Sequence, residues 1–253
     1  MVILLSPAKT LDETPKVNPG LNLPTFRKET NELARILKSY TPNKIKELMH
    51  ISDKLANLNH ERYQNFSSRY TTSNSKAAIF AFKGDVYQGF KVEELDADDL
   101  LYAEAHLRIL SGLYGCLKPL DKMQAYRLEM GTSLKTDKGN NLYDFWKGLL
   151  TKEINKTLKK NKNDLIINLA SKEYFSALDK KGLKGDLIDI GFKEYRDGKL
   201  KFISFSAKKA RGMMARYIVK ERIEAKEGLK GFDYDGYAYD EGLSSDKEYM
   251  FVR

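Results

Sequence analysis

Leu107-Arg108-Ile109-Leu110-Ser111-Gly112-Leu113-Tyr114-Gly115-Cys116-Leu117 is the stretch on which the reading of this chain turns. Just upstream, Leu100, Ala103, Leu107 and Leu110 recur at helical spacing, which predicts a helix over residues 96–110. Gly112 and Gly115 then break it. Glycine has no Cβ, so a Gly-apolar-x-Gly turn lets backbone N–H groups approach an anion closely. A plainer reading stands beside this one: Gly112 simply ends the helix as its C′ residue. Pro119 follows closely, so a second helix must start late or take the proline into its first turn.

Working outward, residues 1–5 and 164–169, the second apolar from Leu165 to Ile167, read as buried strands, and residues 77–82 read as a third. Arg196-Asp197-Gly198 between alternating apolar runs predicts a hairpin of strands over residues 186–192 and 199–205. Phe26, Leu33, Ile36 and Leu37 share a helical face. Ser52 caps a second helix with Leu55, Leu58 and Phe66 inward, and further helices cover residues 142–158 and 207–225, the last capped by Ser206. Ser171 heads a short helix, residues 12–24 hold three of the six prolines and read as extended, and the last 22 residues read as two strands. Strands and helices do not strictly alternate. The predicted fold class is α+β, a single compact mixed α/β body over residues 1–253 with no internal repeat and no linker.

The chain has 253 residues, 42% hydrophobic and 31% charged, with 15 Tyr and 12 Phe, a composition that excludes a disordered polymer. Its net charge of +9 favours polyanionic partners and solubility alike. Cys116 is the only cysteine, which rules out an internal disulfide and suits a reducing cytoplasm, the expected location. The apolar start halts at Ser6-Pro7 with no basic residues before it, and no apolar run nears the roughly 20 residues of a membrane helix. His50, His60 and His106 form no zinc spacing, and no Walker or GxGxxG loop occurs, so neither a metal nor a cofactor is expected.

Several segments carry candidate chemistry. Ser6-Pro7-Ala8-Lys9 and Asn168-Leu169-Ala170-Ser171-Lys172-Glu173 each follow a buried strand, where α/β sites gather, so Lys9 and Lys172 are candidate phosphate contacts. In Tyr126-Arg127-Leu128-Glu129-Met130-Gly131, Arg127 suits a bidentate phosphate contact or a loop-fixing ion pair. Asp85, Asp121 and Glu129 are the carboxylates that would serve as general base if the protein is an enzyme. Lys208, Lys209, Arg211 and Arg216 crowd a helix start, where positive charge opposes the helix dipole. Anion capture and a solvated basic face both account for them. Gly212 in that helix costs roughly 1 kcal/mol against Ala, which suggests that something approaches closely there. Trp146 reads as core or as a base-stacking residue.

Taken in order, these segments resemble the YaaA family of peroxide stress proteins. The likeness runs through Leu5-Ser6-Pro7-Ala8-Lys9, Phe82-Lys83-Gly84-Asp85-Val86-Tyr87, Leu110-Ser111-Gly112-Leu113-Tyr114-Gly115, Tyr126 to Gly131, Leu142-Tyr143-Asp144-Phe145-Trp146, Asn168 to Phe175 and Ala207-Lys208-Lys209-Ala210-Arg211-Gly212. Lys118 stands where the family usually has Arg, and Ala125 where it often has Pro. The resemblance implies a role in the bacterial peroxide response, limiting damage by unincorporated iron. It also implies a mixed α/β body with a basic cleft, a helix-hairpin-helix element and a DNA ligand held mainly by shape and phosphate. On that reading Ser111, Gly112, Tyr114 and Gly115 form the hairpin, with Lys9, Arg127, Lys172, Lys208, Lys209, Arg211 and Arg216 as further DNA contacts. The alternative is an enzyme acting on a nucleobase or nucleotide-like substrate. A third possibility is iron held by acids such as Asp96, Asp98 and Asp99 or Asp233 and Asp235.

Overall fold

The computed structural model describes residues 1–14 and 22–253. Part of the segment expected to be extended, residues 15–21, lies outside them. The mixed α/β body is present, organised by an eight-stranded, mostly parallel sheet. Val2–Leu5 is fully buried at its centre, pairing in parallel with Leu107–Ser111 on one side and Leu165–Leu169 on the other. Asp186–Arg196 and then Glu248–Val252 extend the parallel set beyond Leu165–Leu169. Antiparallel partners close the edges: Gly115–Leu117 beside Leu107–Ser111, and Ala238–Tyr239 beside Glu248–Val252.

Numbered by sequence, the five parallel strands lie in the order 2-1-3-4-5. This doubly wound order has its topological switch point between strands 1 and 3, where successive connections leave in opposite directions and open a crevice at the carboxyl ends. Strand composition fits the topology. Val2–Leu5 is a continuous apolar run and Leu165–Leu169 is apolar but for Asn168, as strands buried on both faces require, whereas Asp186–Arg196 alternates between buried and half-exposed residues.

The opening stretch behaves differently from its reading. The helix stops at His106, capped at its start by a reciprocal pair of bonds between Asp96 and Asp99, and Leu107–Ser111 continues as a buried strand. Gly115–Leu117 returns beside it, so Ser111-Gly112-Leu113-Tyr114-Gly115 is the turn of a β-hairpin and not of a helical one. All five residues are buried. The glycines do permit close approach, but to the protein itself. A Cβ on Gly112 would lie 2.3 Å from the Leu128 carbonyl oxygen, and one on Gly115, at φ +69°, 2.6 Å from the Trp146 ring. Trp146 donates its indole N–H to the Gly112 carbonyl at 2.9 Å, and Ser111 Oγ bonds the Tyr126 hydroxyl at 2.6 Å and accepts from Tyr114 N. The assignment of Ser111, Gly112, Tyr114 and Gly115 to phosphate contact is therefore corrected, since no solvent or ligand reaches them. Trp146 is core, not a stacking surface.

Other departures are local. Residues 77–82 break into a two-residue strand, a helical turn Ala78–Ala81 and Phe82–Lys83. The helix expected over residues 142–158 splits at Gly148, which takes φ +78°, into Leu142–Trp146 and Leu149–Asn161. Ser52 does cap Asp53–Asn65, but Ala56, Asn59 and Tyr63 face inward and Leu58 is exposed. The basic helix begins earlier, as Ser204–Lys220, so Ser206 lies inside it and bonds the buried Glu194.

Candidate functional site

The loops after strands 1 and 3 meet across the switch point. Ser6 Oγ accepts a hydrogen bond from Ser171 N at 2.8 Å, and the Ser6 carbonyl accepts from Tyr87 OH at 3.1 Å. Tyr87 belongs to the Asp85–Phe90 helix, whose lead-in glycine, Gly84, sits at φ +153° with its Cβ position 3.2 Å from Ala8 Cβ. Asp85 is thus brought beside the first loop, half-exposed.

The segment that covers the buried hairpin supplies the third wall. Tyr63 OH donates to the Arg127 carbonyl at 2.7 Å and fixes its path. Glu129 then lies between two cations, with Lys9 Nζ at 2.8 Å and Arg127 Nη2 at 2.9 Å. Arg127 is mostly buried and its Nε has no partner among the described residues. Gly131 N donates to Glu173 at 3.0 Å, and Tyr143 OH donates to the Glu173 carbonyl at 3.1 Å. Lys172 stands exposed at the start of the short helix Lys172–Phe175.

The basic helix Ser204–Lys220 forms the fourth wall. Two glycines allow it to cross the Asp85–Phe90 helix at backbone contact: a Cβ on Gly212 would lie 1.7 Å from the Val86 carbonyl oxygen, and one on Gly89 2.1 Å from that of Lys209. The close approach anticipated at Gly212 is made by the protein's own helix. Within it, Lys208 is exposed, while Lys209 pairs with Asp235 at 3.5 Å and Arg216 pairs with Glu94. Lys209 and Arg216 line one shallow pocket together with Gln88, Met213 and Tyr234. Arg211 is half-buried, and burial alone holds its pKa below the usual value.

The structure thus brings together Lys9, Asp85, Arg127, Glu129 and Lys172 and sets the start of the basic helix against the same loops. Asp121 is elsewhere. It is fully buried beneath the turn that it ties to Lys118 N at 2.9 Å, and burial pushes its carboxyl up to about 6 against the pull of Lys118. No solvent-borne substrate reaches it, so its candidacy as a general base is corrected. Three of the five acids considered for iron have other partners. Asp96 caps a helix, Asp99 binds Lys220 and Arg222 at 2.8 and 2.9 Å, and Asp235 binds Arg253 at 2.6 Å. Sequence reasoning passed over Ser6, Tyr87 and Tyr143 as partners. Only the first carried a signal, its place after a buried strand.

Fold and site together define an α/β protein whose polar groups collect at the carboxyl edge of a doubly wound parallel sheet. A family model described as "Peroxide stress protein YaaA" matches residues 1–243. A UPF0246 protein of Marinomonas sp. (strain MWYL1) is 51% identical across the whole chain and 97% of its own length. A UPF0246 protein of Flavobacterium psychrophilum is 49% identical over the full length of both, and one of Saccharophagus degradans is 46% identical over 99% of its length. The chain belongs to the YaaA family of peroxide stress proteins. Among the described residues, no helix is long and apolar enough to cross a membrane.

Proposed function

We propose that this peroxide stress protein binds DNA through phosphate contacts at the carboxyl edge of its sheet. The observation that carries the reading is a local excess of positive charge. Between Lys193 and Arg211 the chain holds seven Lys and Arg against two acids. One of those acids, Glu194, is buried and neutralised by Arg196 and Arg253, and the other, Asp197, pairs with Lys201 at 3.0 Å. Lys208 among the seven is exposed, and exposed Lys172 adds to the same edge. Lys9, Arg127, Lys209 and Arg216 have carboxylate partners, so they position loops more than they attract phosphate.

A second phosphate contact is proposed at the helix pair Pro42–Met49 and Asp53–Asn65, joined by His50-Ile51-Ser52 with His50 in the left-handed region at φ +50°. On this reading the pair would be the helix-hairpin-helix element that the family resemblance implied. First-turn N–H groups of a helix lack intrahelical partners, and exposed Lys54 stands in the first turn of Asp53–Asn65, while Lys46 pairs with Asp53 at 2.8 Å. The contacts are to backbone, so sequence preference is weak. The test is anisotropy titration of a labelled duplex across a salt series. Affinity should fall with a log–log slope near −0.9 for each phosphate neutralised. A flat response would eliminate the reading.

A second reading rests on one specific observation, the Lys9–Glu129–Arg127 cluster at the switch point. A lysine 2.8 Å from a carboxylate, with a second carboxylate, Asp85, at the start of the neighbouring helix, suits proton transfer on a nucleobase or nucleotide-like substrate. Base release or a borohydride-trapped adduct on damaged duplexes, lost in Lys9→Ala, would establish it.

A further inference from the structure

The Asp186–Arg196 strand turns back at Asp197 and Gly198, at φ +54° and +70°, and pairs antiparallel with Lys199–Lys201. Arg196 stands opposite Lys199, Tyr195 opposite Leu200 and Glu194 opposite Lys201. Tyr195 N donates to the Arg253 carbonyl at 2.8 Å, on the side away from Lys199–Lys201. Hydrogen-bonding direction alternates along a strand, so Glu194 and Arg196 are the residues that bond across the hairpin. Leu200, opposite Tyr195, then turns its own N–H and C=O outward. Among the described residues no strand pairs on that side, and Lys199–Lys201 is an open sheet edge.

An open edge is a template for another strand, and its surroundings select which one. Lys199 and Lys201 are exposed on the edge itself, where lysine repels a second copy of the same strand. Lys193, Lys199 and Lys208 have no ion-pair partner among the described residues, whereas the hairpin's acids, Glu194 and Asp197, are already paired. Tyr195 is 60% exposed beside Leu200, and Phe202 and Phe205, just beyond the edge, are 59% and 58% exposed. Rings left in water so close together mark a contact surface. The outward main-chain groups call for another main chain in extended register, which a nucleic acid does not offer. The lysines call for carboxylates, and the rings for apolar side chains. Successive side chains of a strand point to opposite faces, so one strand meets both demands if its acidic and apolar residues alternate.

We propose that the Lys199–Lys201 edge docks an extended acidic segment of a partner protein, which adds to the hairpin as a further strand. Carboxylates of that segment lie along Lys199 and Lys201, and its apolar residues lie against Tyr195 and Leu200. Main-chain hydrogen bonds supply the affinity, and the alternation supplies the specificity. The inference concerns a protein partner and stands apart from the DNA-binding reading.

The probe is a short synthetic peptide in which glutamates alternate with isoleucine and phenylalanine, labelled and titrated by anisotropy with the full chain. Two controls share its composition. One gathers the acids into a single block, and the other is N-methylated where the backbone would donate to the edge. The alternating peptide should bind at least about tenfold more tightly than either. Leu200→Pro removes the outward N–H at an edge position where proline is tolerated, and should lose the same tenfold. Lys199→Glu with Lys201→Glu should reject the acidic peptide and bind its lysine counterpart, which also reports an intact hairpin. Equal affinity for all three peptides overturns the inference, because charge alone then draws them, as it would draw a nucleic acid. A wild type that binds none of them overturns it too. So does a wild-type dimer in sedimentation that Leu200→Pro abolishes, because the edge would then belong to a second copy.

Discussion

Gly212→Ala separates two forces of opposite sign. In an open helix interior, alanine in place of glycine stabilises by roughly 1 kcal/mol. Here the new Cβ would lie 1.7 Å from the Val86 carbonyl oxygen and 2.8 Å from Phe90 N. Ordinary contact needs about 3.5 Å, so the Ser204–Lys220 and Asp85–Phe90 helices must part by roughly 2 Å. The obstacle is backbone, which cannot rotate aside as a side chain can. Overpacking of this kind costs about 1–3 kcal/mol or more, and a gap of 1 Å already forfeits up to half of each dispersion contact along the crossing. The net expectation is a loss of about 2 kcal/mol, or roughly 4–8 °C in Tm for a chain of this size. Differential scanning calorimetry checks it, with Gly89→Ala, facing the Lys209 carbonyl, expected to behave alike. A Tm that rises or holds would refute the close crossing and, with it, the placement of Asp85 at the site.

Three further outcomes follow from the same structure. Burial works against the charge of Glu194, but bonds from Ser206, Arg196 and Tyr237, with Arg253 nearby, outweigh it and hold the carboxyl down at about 2. A depressed folded pKa gives stability that is complete above the unfolded value near 4.5 and lost as pH falls toward 2. Glu194→Gln should therefore cost on the order of 3 kcal/mol at neutral pH and flatten the acid limb of the denaturation curve, measured by urea unfolding at several pH values. Gly115→Ala forces a positive φ on alanine and drives a Cβ into Trp146. It should destabilise by at least 1–3 kcal/mol and red-shift the fluorescence of the sole tryptophan. Burial pushes the Cys116 thiol up to about 12, so it should resist thiol reagents and peroxide in the native state and react only after unfolding, as followed by intact-mass spectrometry.

The strands that build the switch point were legible because near-continuous apolar runs such as Val2–Leu5 and Leu165–Leu169, the second broken only by Asn168, signal burial on both faces. Lys9 and Lys172, just past them, were legible as site candidates because polar groups at strand ends are where such sites gather. Leu107–Ser111 was not. Its leucines continue the helical spacing set by Leu100 and Ala103, and a five-residue apolar run satisfies both periods. What decides for strand is pairing with Val2–Leu5, about a hundred residues away, which no local window contains. Gly112, Gly115 and Gly212 were each recognised as permitting close approach. The visitor proved to be the Leu128 backbone, Trp146 and Val86, because the sequence marks where room is made and not who occupies it. Pairing was likewise hidden. Nothing local tells Lys9, held by Glu129, from Lys208, which has no ion-pair partner among the described residues.

The measurement that bears most directly on the DNA-binding reading compares charge reversals at the two edges of the sheet. Lys172→Glu with Lys208→Glu alters the carboxyl edge. Lys159→Glu with Lys160→Glu alters exposed lysines at the end of Leu149–Asn161, the helix that leads into the amino end of Leu165–Leu169. Both variants lower the net charge of +9 by the same amount. The carboxyl-edge variant should lose at least tenfold in duplex affinity at low salt and have a salt slope shallower by about two phosphates, while the amino-edge variant stays within about threefold of wild type. Equal losses in the two variants would show that only overall charge matters, and would contradict a binding surface at the carboxyl edge.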